Sequence, residues 1–435
     1  MSESSTVFRI YRQAGYLIKP ALTLLLDQRT KRGKEDRTRR DERFGVASRK
    51  REPGPLVWVH AASVGETNAA LPIIQAIADR GLQVLLTTGT VTSAKVAEEV
   101  LPDLAFHQYV PFDVAPSIRR FLDTWAPDLA LFVESEIWPL TLAELGDRSV
   151  PVVIVNGRMS QRSATQWQRA KAFSRHVFGN IDLCLAQTEK DADLFSQLGV
   201  VSARALGNLK FDRDPLPVDT DTLAALKETI GERPVWIAAS THPGEEDLAL
   251  QAHATLREKA KDALLILAPR HPQRGSEIEA SAKAAEMTVA VRSRQESPGP
   301  ETSVYLADTI GDMGLLYRVS DLAFVGGSFT DRGGQNPVEP AQLGVPVIHG
   351  PNVRNFKEIY GNLNNVGGAL RCEAERDFSS AVAHLLFDPD RRAGLARNAE
   401  TYVMGQRGAL RRTLEALTPF LEPLSEPVRD RRHAM

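Results

Sequence analysis

The sequence predicts an α/β protein built from two parallel-sheet domains, on three observations. From Leu56 onward, short apolar runs alternate with helical stretches. The runs stop at polar residues, and the alternation breaks once, in a Pro- and Asp-rich stretch, before restarting. With 435 residues, 43% hydrophobic and 25% charged, the chain can bury two sizeable cores and has the composition of an ordinary soluble globular protein.

The elements follow in order. Residues 1–51 hold 14 Lys and Arg against 6 Asp and Glu, a net +8; with −2 overall, the remainder carries −10. "VFRIYRQAGYLIKPALTLLL" (residues 7–26) is rich in apolar residues but broken by Arg9, Arg12, Lys19 and Pro20. It falls short of the roughly 20 predominantly apolar residues a spanning helix needs. No small-residue cleavage site follows, which argues against a secretory signal. "RTKRGKEDRTRRDER" (residues 29–43) adds eight basic and four acidic residues. Two readings fit: a region lying on an anionic membrane surface, or a terminal helix packed on the body with a solvated charged loop behind it.

"LVWVHAA" then reads as a strand leading into the helical "ETNAALPIIQAIADRG". "QVLLTTGT" precedes "SAKVAEEVL", "LALFVES" precedes "WPLTLAELG", and "VPVVIVNGR" and "IDLCLAQT" are two further runs. The pattern lasts to "GNLKFD" (residues 207–212), gives way to the linker-like "RDPLPVDTD", and restarts with "PVWIAAST", "ALLILAPRHP", "TVAVRS", "SVYLAD", "LAFVGGS" and "VPVIHGP". The expected organisation is an N-terminal segment and basic linker (1–51), a first domain (52–212), a linker (213–230), a second domain (231–423) and a disordered tail (424–435). Two halves of comparable size imply a cleft, where ligands bind at the carboxyl ends of both sheets. Cys184 and Cys372 give neither a disulfide framework nor a zinc spacing, and Cys184 in "IDLCLA" reads as a buried strand residue.

Candidate chemistry sits where strands end. The first ends "HAASVGE", where Ser63 and Glu66 form a capping-box pattern and Glu66 is also a carboxylate at the cleft mouth, able to act as a general base. "VESEIWP" carries Glu134 and Glu136 two apart, so one faces the cleft while the other turns away or accepts a hydrogen bond; an ion pair with Arg158 would also account for one of them. In the second half, Arg270 in "APRHP" suits a phosphate, being permanently charged and able to bind bidentately. "STHPGEE" (residues 240–246) offers hydroxyls and amides at a helix start, an anion site, and "GDMG" (residues 311–314) opens another helix. In "GGQNPVEP", Asn336, Pro337 and Glu339 read as N-cap, N1 and N3 of a helix. These features together fit nucleotide binding by the second domain. The formal DxD matches at Asp191–Asp193 and Asp212–Asp214 end no strand, so no metal is expected.

Assembled, these residues resemble the 3-deoxy-D-manno-octulosonic acid (Kdo) transferases of lipopolysaccharide biosynthesis, from "ERFG" at residue 42 to about Arg411. The resemblance rests on motifs in order: "WVHAASVGE", "ESEIWP", "NGRMSQRS", "GNLKFD", "APRHP", "GDMGLLY", "FVGGSF", "GGQNPVEPAQLGVPVIHGP" and "NF" at Asn355–Phe356. It implies a GT-B glycosyltransferase, with an acceptor-binding and a CMP-Kdo-binding Rossmann-like domain facing a central cleft. It also implies metal-independent, cofactor-free inverting transfer from CMP-β-Kdo to the 6′-hydroxyl of a tetra-acylated lipid A precursor. Glu66 matches the family's catalytic base, and Glu134 and Lys210 match positions that stabilise the transition state. The CMP contacts fall on Pro269 and Arg270, on Ile310, Gly311 and Asp312 with Met313 adjacent, and on Asn336, Pro337, Val338 and Glu339. Gln335 stands where the family usually has His. The expected partners are CMP-Kdo, the lipid A precursor and an anionic membrane surface, with no nucleic acid, at the cytoplasmic face of the inner membrane. The readings set against this one are another GT-B nucleotide-sugar enzyme, a UDP-sugar transferase or epimerase, and a catalytically dead lipid-binding adaptor.

Overall fold

The computed structural model describes residues 8–425 apart from Ile10, Ala14 and Leu17. The chain forms two compact units, one running to Asp212 and resuming at Arg407, the other Arg213–Gln406. In the first, β1 (Leu56–His60), β2 (Gln83–Thr88), β3 (Ala105–Tyr109), β4 (Leu129–Val133), β5 (Val152–Gly157), β6 (Leu183–Ala186) and β7 (Ala203–Ala205) form one sheet in the order β3-β2-β1-β4-β5-β6-β7. All its pairings are parallel. The chain travels outward from β1 in one direction and then returns to start β4 on its other side. That reversal leaves the carboxyl ends of β1 and β4 adjacent, the position at which doubly wound sheets bind ligands. Strands β1, β4 and β5 are buried along their whole length, because helices cover both faces of a parallel sheet. Trp58, Phe121, Trp125 and Phe132 fill one face, and Ile73, Ile74 and Leu131 the other.

The second unit repeats the plan with β8 (Val235–Thr241), β9 (Leu264–Pro269), β10 (Val289–Val291), β11 (Val304–Leu306), β12 (Leu322–Val325), β13 (Val347–His349) and β14 (Ala369–Arg371), in the order β10-β11-β9-β8-β12-β13-β14. Here the reversal falls between β8 and β12. Trp236, Phe324 and Phe378 pack one face. Both cysteines are free and buried, Cys184 within β6.

Three parts of the expected organisation change. The second domain does not run to 423: the helix Ala409–Ser425 belongs to the first unit. Its stripe of Leu410, Leu414, Leu417 and Leu421 joins the core around Ile73 and Ile74, against the helix Val64–Ala78. Asp212 fastens the returning chain, its carboxylate accepting from the Gly408 amide and, at 2.7 Å, from the Leu410 amide. Residues 213–230 are not all linker. Thr220–Ile230 is a helix capped by Asp219, and its Leu226 and Ile230 enter the second unit's core. Nor does the first unit begin at 52, because much of the basic segment is folded onto it. Arg43 is buried, bonding Glu35 at 2.9 Å and the carbonyls of Gly89 and Val110 at 2.9 and 3.2 Å. Glu42, also buried, accepts from the Tyr109 amide at 2.6 Å. The acids interspersed in the segment make this possible, since buried charges need partners.

Ahead of it, the helix Lys19–Lys31 buries Leu26, while Tyr11, Tyr16, Ile18, Leu24 and Leu25 stand exposed. Among the described residues no helix is long and apolar enough to cross a membrane. The tail expected at 424–435 lies outside the described residues beyond Ser425.

Candidate active site

In the first unit the site is built at the switch point. After β1 the chain turns at Ser63, the N-cap of the helix Val64–Ala78. Ser63 Oγ accepts from the Glu66 amide at 3.3 Å and donates to Glu66 Oε1 at 2.9 Å, while Glu66 Oε2 accepts from the Ala62 amide at 2.7 Å. The capping pattern is therefore formed, with the carboxylate reaching one residue ahead of the cap. The same geometry holds a half-buried carboxylate in one orientation at the end of β1. Burial, and then the charges of Glu134 and Glu136, raise the Glu66 carboxyl above its ordinary value, against the opposing bonds from Ser63 and Ala62.

Glu134 follows β4 in the left-handed region, φ 61°, a conformation that costs a non-glycine residue about 1 kcal/mol or more and tends to mark functional sites. Its Oε1 accepts from Lys210 Nζ at 2.8 Å, both side chains mostly buried. The partner is thus Lys210 rather than Arg158, of which only the backbone carbonyl takes part, accepting from Ser135 Oγ. Lys210 is placed by a relay. Asn208 Oδ1 accepts from its amide, Asn208 Nδ2 donates to Gln187, and Gln187 Nε2 donates to the Asn156 carbonyl, each at 3.0 Å. Glu136 turns the other way. Its Oε2 lies 3.4 Å from His60 Nε2 and accepts from Trp138 Nε1 at 2.9 Å, and His60 is fully buried against Thr87. Burial pushes the Glu136 carboxyl up, but His60 and Trp138 outweigh it and leave the group lowered. Of two acids two residues apart, one is tied down and the other faces Lys210. His60, Gln187 and Asn208 were not singled out from sequence, since only tertiary pairing gives them their part.

In the second unit, Pro269 ends β9 buried and Arg270 follows exposed, its amide donating to the Thr241 carbonyl at 3.0 Å. The Asn336–Glu339 turn departs from the capping box read in the sequence. Pro337, not Asn336, is the N-cap of the helix Val338–Gln342. Asn336 Oδ1 accepts from the Val338 amide, and Asn336 Nδ2 donates to Glu339 Oε1, both at 3.1 Å. Pro340, four residues after Asn336, has no N–H for the Asn336 carbonyl, so the helix starts one residue later, and the Glu339 carboxyl accepts from the Asn336 side chain. Burial raises the Glu339 carboxyl, offset in part by Asn336, Arg213 and Arg270; Arg270 and Glu339 therefore share one neighbourhood. Val338 is in the core, Pro337 is buried and Met313 packs at the core's edge, so Pro337 and Val338 present mainly backbone to a ligand.

Ile310 is 86% exposed and Gly311 has φ +96°. Asp312 is committed: Arg292 grips it bidentately at 2.6 and 2.8 Å, and Thr309 donates to it. Arg292, twenty residues earlier, was not foreseen. The 240–246 loop is not an open anion site, because the buried Glu245 carboxylate fills it from within, accepting from the amides of His242, Gly327, Ser328 and Phe329. In each DxD match the first aspartate is committed. Asp191 accepts from Thr188 Oγ1 and the Met159 amide, and Asp212 fastens the returning helix. Among the described residues no group of three or more His, Cys, Asp or Glu is placed to hold a metal.

Residues 38–213 match the family described as 3-Deoxy-D-manno-octulosonic-acid transferase (kdotransferase). The 3-deoxy-D-manno-octulosonic acid transferase of Haemophilus influenzae is 37% identical over 395 residues, 89% of this chain and 92% of that protein. The chain belongs to the Kdo transferase family. The transferase of Bordetella pertussis is 38% identical over 394 residues, 87% of this chain and 91% of its own. Among solved structures, the UDP-GlcNAc 2-epimerase from Neisseria meningitidis bound to UDP-GlcNAc aligns with a TM-score of 0.56 at 14% identity, covering 84% of this chain and all of that one. At that identity the likeness is one of fold, two Rossmann-like domains of the GT-B type. This Kdo transferase is thus a glycosyltransferase whose first unit gathers Glu66, Glu134 and Lys210 and whose second gathers Arg270, Asn336 and Glu339.

Proposed function

We propose that the enzyme moves Kdo from CMP-Kdo onto the 6′-hydroxyl of a tetra-acylated lipid A precursor, lipid IVA, with inversion and with Glu66 as general base. CMP leaves as a phosphate anion and needs no acid. The protein has to supply a base for the incoming hydroxyl and positive charge for the departing phosphate. The observation that carries the reading is the Glu66 carboxylate, fixed by Ser63 and Ala62 and raised by burial and by Glu134 and Glu136. A raised carboxylate is a stronger base at neutral pH. Glu66 takes the hydroxyl proton, the oxygen attacks the anomeric carbon opposite CMP, and Lys210, held by Glu134, stabilises the transition state. In the second unit, Arg270 balances the phosphate, the backbone of Pro269, Ile310, Gly311, Asp312 and Met313 and of Asn336, Pro337 and Val338 lines the nucleotide, and the Glu339 carboxylate takes the ribose hydroxyls. The scheme draws its positive charge from side chains and uses no metal or cofactor.

The acceptor stays in the bilayer, so the enzyme works against the cytoplasmic face of the inner membrane, monotopic or peripheral. The net +8 of residues 1–51 and the exposed Tyr16, Ile18, Leu24 and Leu25 support that placement. The test is incubation with CMP-Kdo and tetra-acylated lipid A precursor followed by mass spectrometry. Increments of one Kdo residue are expected, and their number counts the sugars added. An unchanged acceptor mass, or turnover with UDP-sugars in place of CMP-Kdo, contradicts the reading.

A further inference from the structure

The second unit holds a group of side chains that the scheme above leaves unused, and it sits at that sheet's own switch point. His242 follows β8, and Gly327 follows β12. A Cβ built on Gly327 would lie 3.4 Å from Arg332 Cβ, 3.4 Å from Gln335 Nε2 and 3.5 Å from His242 Cδ2. His242, from the turn after β8, and Gln335 with the root of the Arg332 side chain, both from the connection after β12, therefore converge over one glycine, whose φ of +69° a side-chain-bearing residue rarely adopts.

The group is rigid. The Gln335 amide donates to the Gly326 carbonyl at 3.0 Å, and the Gln335 carbonyl accepts from Tyr360 OH at 2.9 Å. The Arg332 carbonyl is held by Asn355 at 2.8 Å. Gln335 Nε2 lies 3.2 Å from His242 Nε2, and His271 meets the His242 ring edge-on at 5.6 Å. Burial, then the charges of Arg332, His271, Arg270 and Arg274, push His242 down to about 4. It is thus neutral at physiological pH and accepts one amide hydrogen of Gln335, leaving the second for a ligand.

Of the three arginines around it, Arg274 is taken by Glu246 and Glu277. Arg270 and Arg332 enter no ion pair among the described residues. Two uncommitted guanidiniums and one fixed amide donor make an environment for anions, and the planar fork of arginine favours a carboxylate or phosphate. The scheme already gives one anion, the phosphate, to Arg270. The transferred sugar is itself an acid and brings a second.

We propose that Arg332 and Gln335 form the subsite for the carboxylate of the transferred sugar, with His242 as the positioning residue that aims the Gln335 amide. The inference rests on the CMP-Kdo reading, and the experiment separates the two. Binding of CMP-Kdo, of CMP, and of a CMP-sugar whose carboxylate is reduced to an alcohol is measured by calorimetry for the unaltered enzyme and for Arg332→Ala, Arg332→Lys and Gln335→Leu. The expected result is a loss of about tenfold or more for CMP-Kdo in Arg332→Ala and Gln335→Leu, with CMP and the reduced donor unchanged. Arg332→Lys, which keeps the charge but not the fork, should recover part of the loss. An equal loss for CMP and CMP-Kdo, or no loss for either, overturns the subsite. Failure of the unaltered enzyme to bind CMP removes the donor reading and the subsite together.

Discussion

Replacing Glu245 by Gln tests how the second unit is held around its switch point. Glu245 is buried, and its two oxygens divide four backbone donors. Oε1 accepts from Ser328 and Phe329 at 3.0 Å each, and Oε2 from His242 at 3.0 Å and Gly327 at 2.7 Å. One carboxylate thus ties the turn after β8 to the turn after β12. Glutamine keeps the shape and one oxygen but points an NH2 group at two N–H donors. Each buried donor left unpaired costs about 1–3 kcal/mol, so the variant should lose about 2–6 kcal/mol, a large share of the about 5–15 kcal/mol typical of a domain. Urea unfolding measures the loss, and hydrogen exchange at the Gly327, Ser328 and Phe329 amides locates it.

The sign with pH also follows. Burial raises the Glu245 carboxyl despite its four bonds, so the folded state keeps that proton to higher pH than the unfolded chain. Its contribution to stability therefore falls as pH rises from the ordinary carboxylate value through the raised one. Glu245→Gln has no such slope. A variant within about 0.5 kcal/mol of the unaltered protein, the range of an ordinary surface change, would refute the reasoning.

Other expectations are read more simply. The acid limb of kcat/KM against pH should lie above the ordinary carboxylate value of 4.5, because Glu66 must be ionised to accept a proton. Ser63→Ala, which removes a bond favouring the ionised form, should move that limb upward; a limb moved down, or not at all, contradicts the assignment. Glu339→Gln should raise the KM for CMP-Kdo with a smaller effect on kcat, since the residue is assigned to the nucleotide and not to the reacting atoms; an unchanged KM speaks against it. Leu417→Ala, at a fully buried position of the returning helix, should cost about 2–5 kcal/mol. Denaturant unfolding of the first unit reads that loss, and a cost near zero would mean that Ala409–Ser425 is not part of its core.

Much of the fold was legible because fully buried parallel strands read as uninterrupted apolar runs, and β1, β4, β5, β8 and β9 do so. The residues that end them supplied the candidate site, because the carboxyl edge of a parallel sheet is where doubly wound folds bind ligands. What was not legible depends on which surfaces meet. The leucines of Ala409–Ser425 mark a buried face, but nothing local says that the face returns to the first unit. Nothing near Asp312 in sequence says that Arg292 closes on its carboxylate from another turn, and Glu245 looked like part of an anion site until it supplied the anion. The cap moved by one residue because Pro340, four residues after Asn336, has no N–H for the Asn336 carbonyl, so the first helical bond runs from the Ala341 amide to the Pro337 carbonyl. The charged segment at 29–43 read as membrane-facing or as a solvated loop because a run of charges shows no partners in sequence, whereas Glu35, Glu42 and Arg43 find theirs on folding.

The central claim is that Glu66 takes the acceptor proton. Glu66→Gln keeps the side chain's size and its bond from the Ala62 amide but cannot accept that proton. Single-turnover transfer from CMP-Kdo to the tetra-acylated acceptor, run beside calorimetry of CMP-Kdo binding, tests the claim directly. Near-normal binding with transfer abolished is the expected result. Substantial residual transfer by the variant would contradict it.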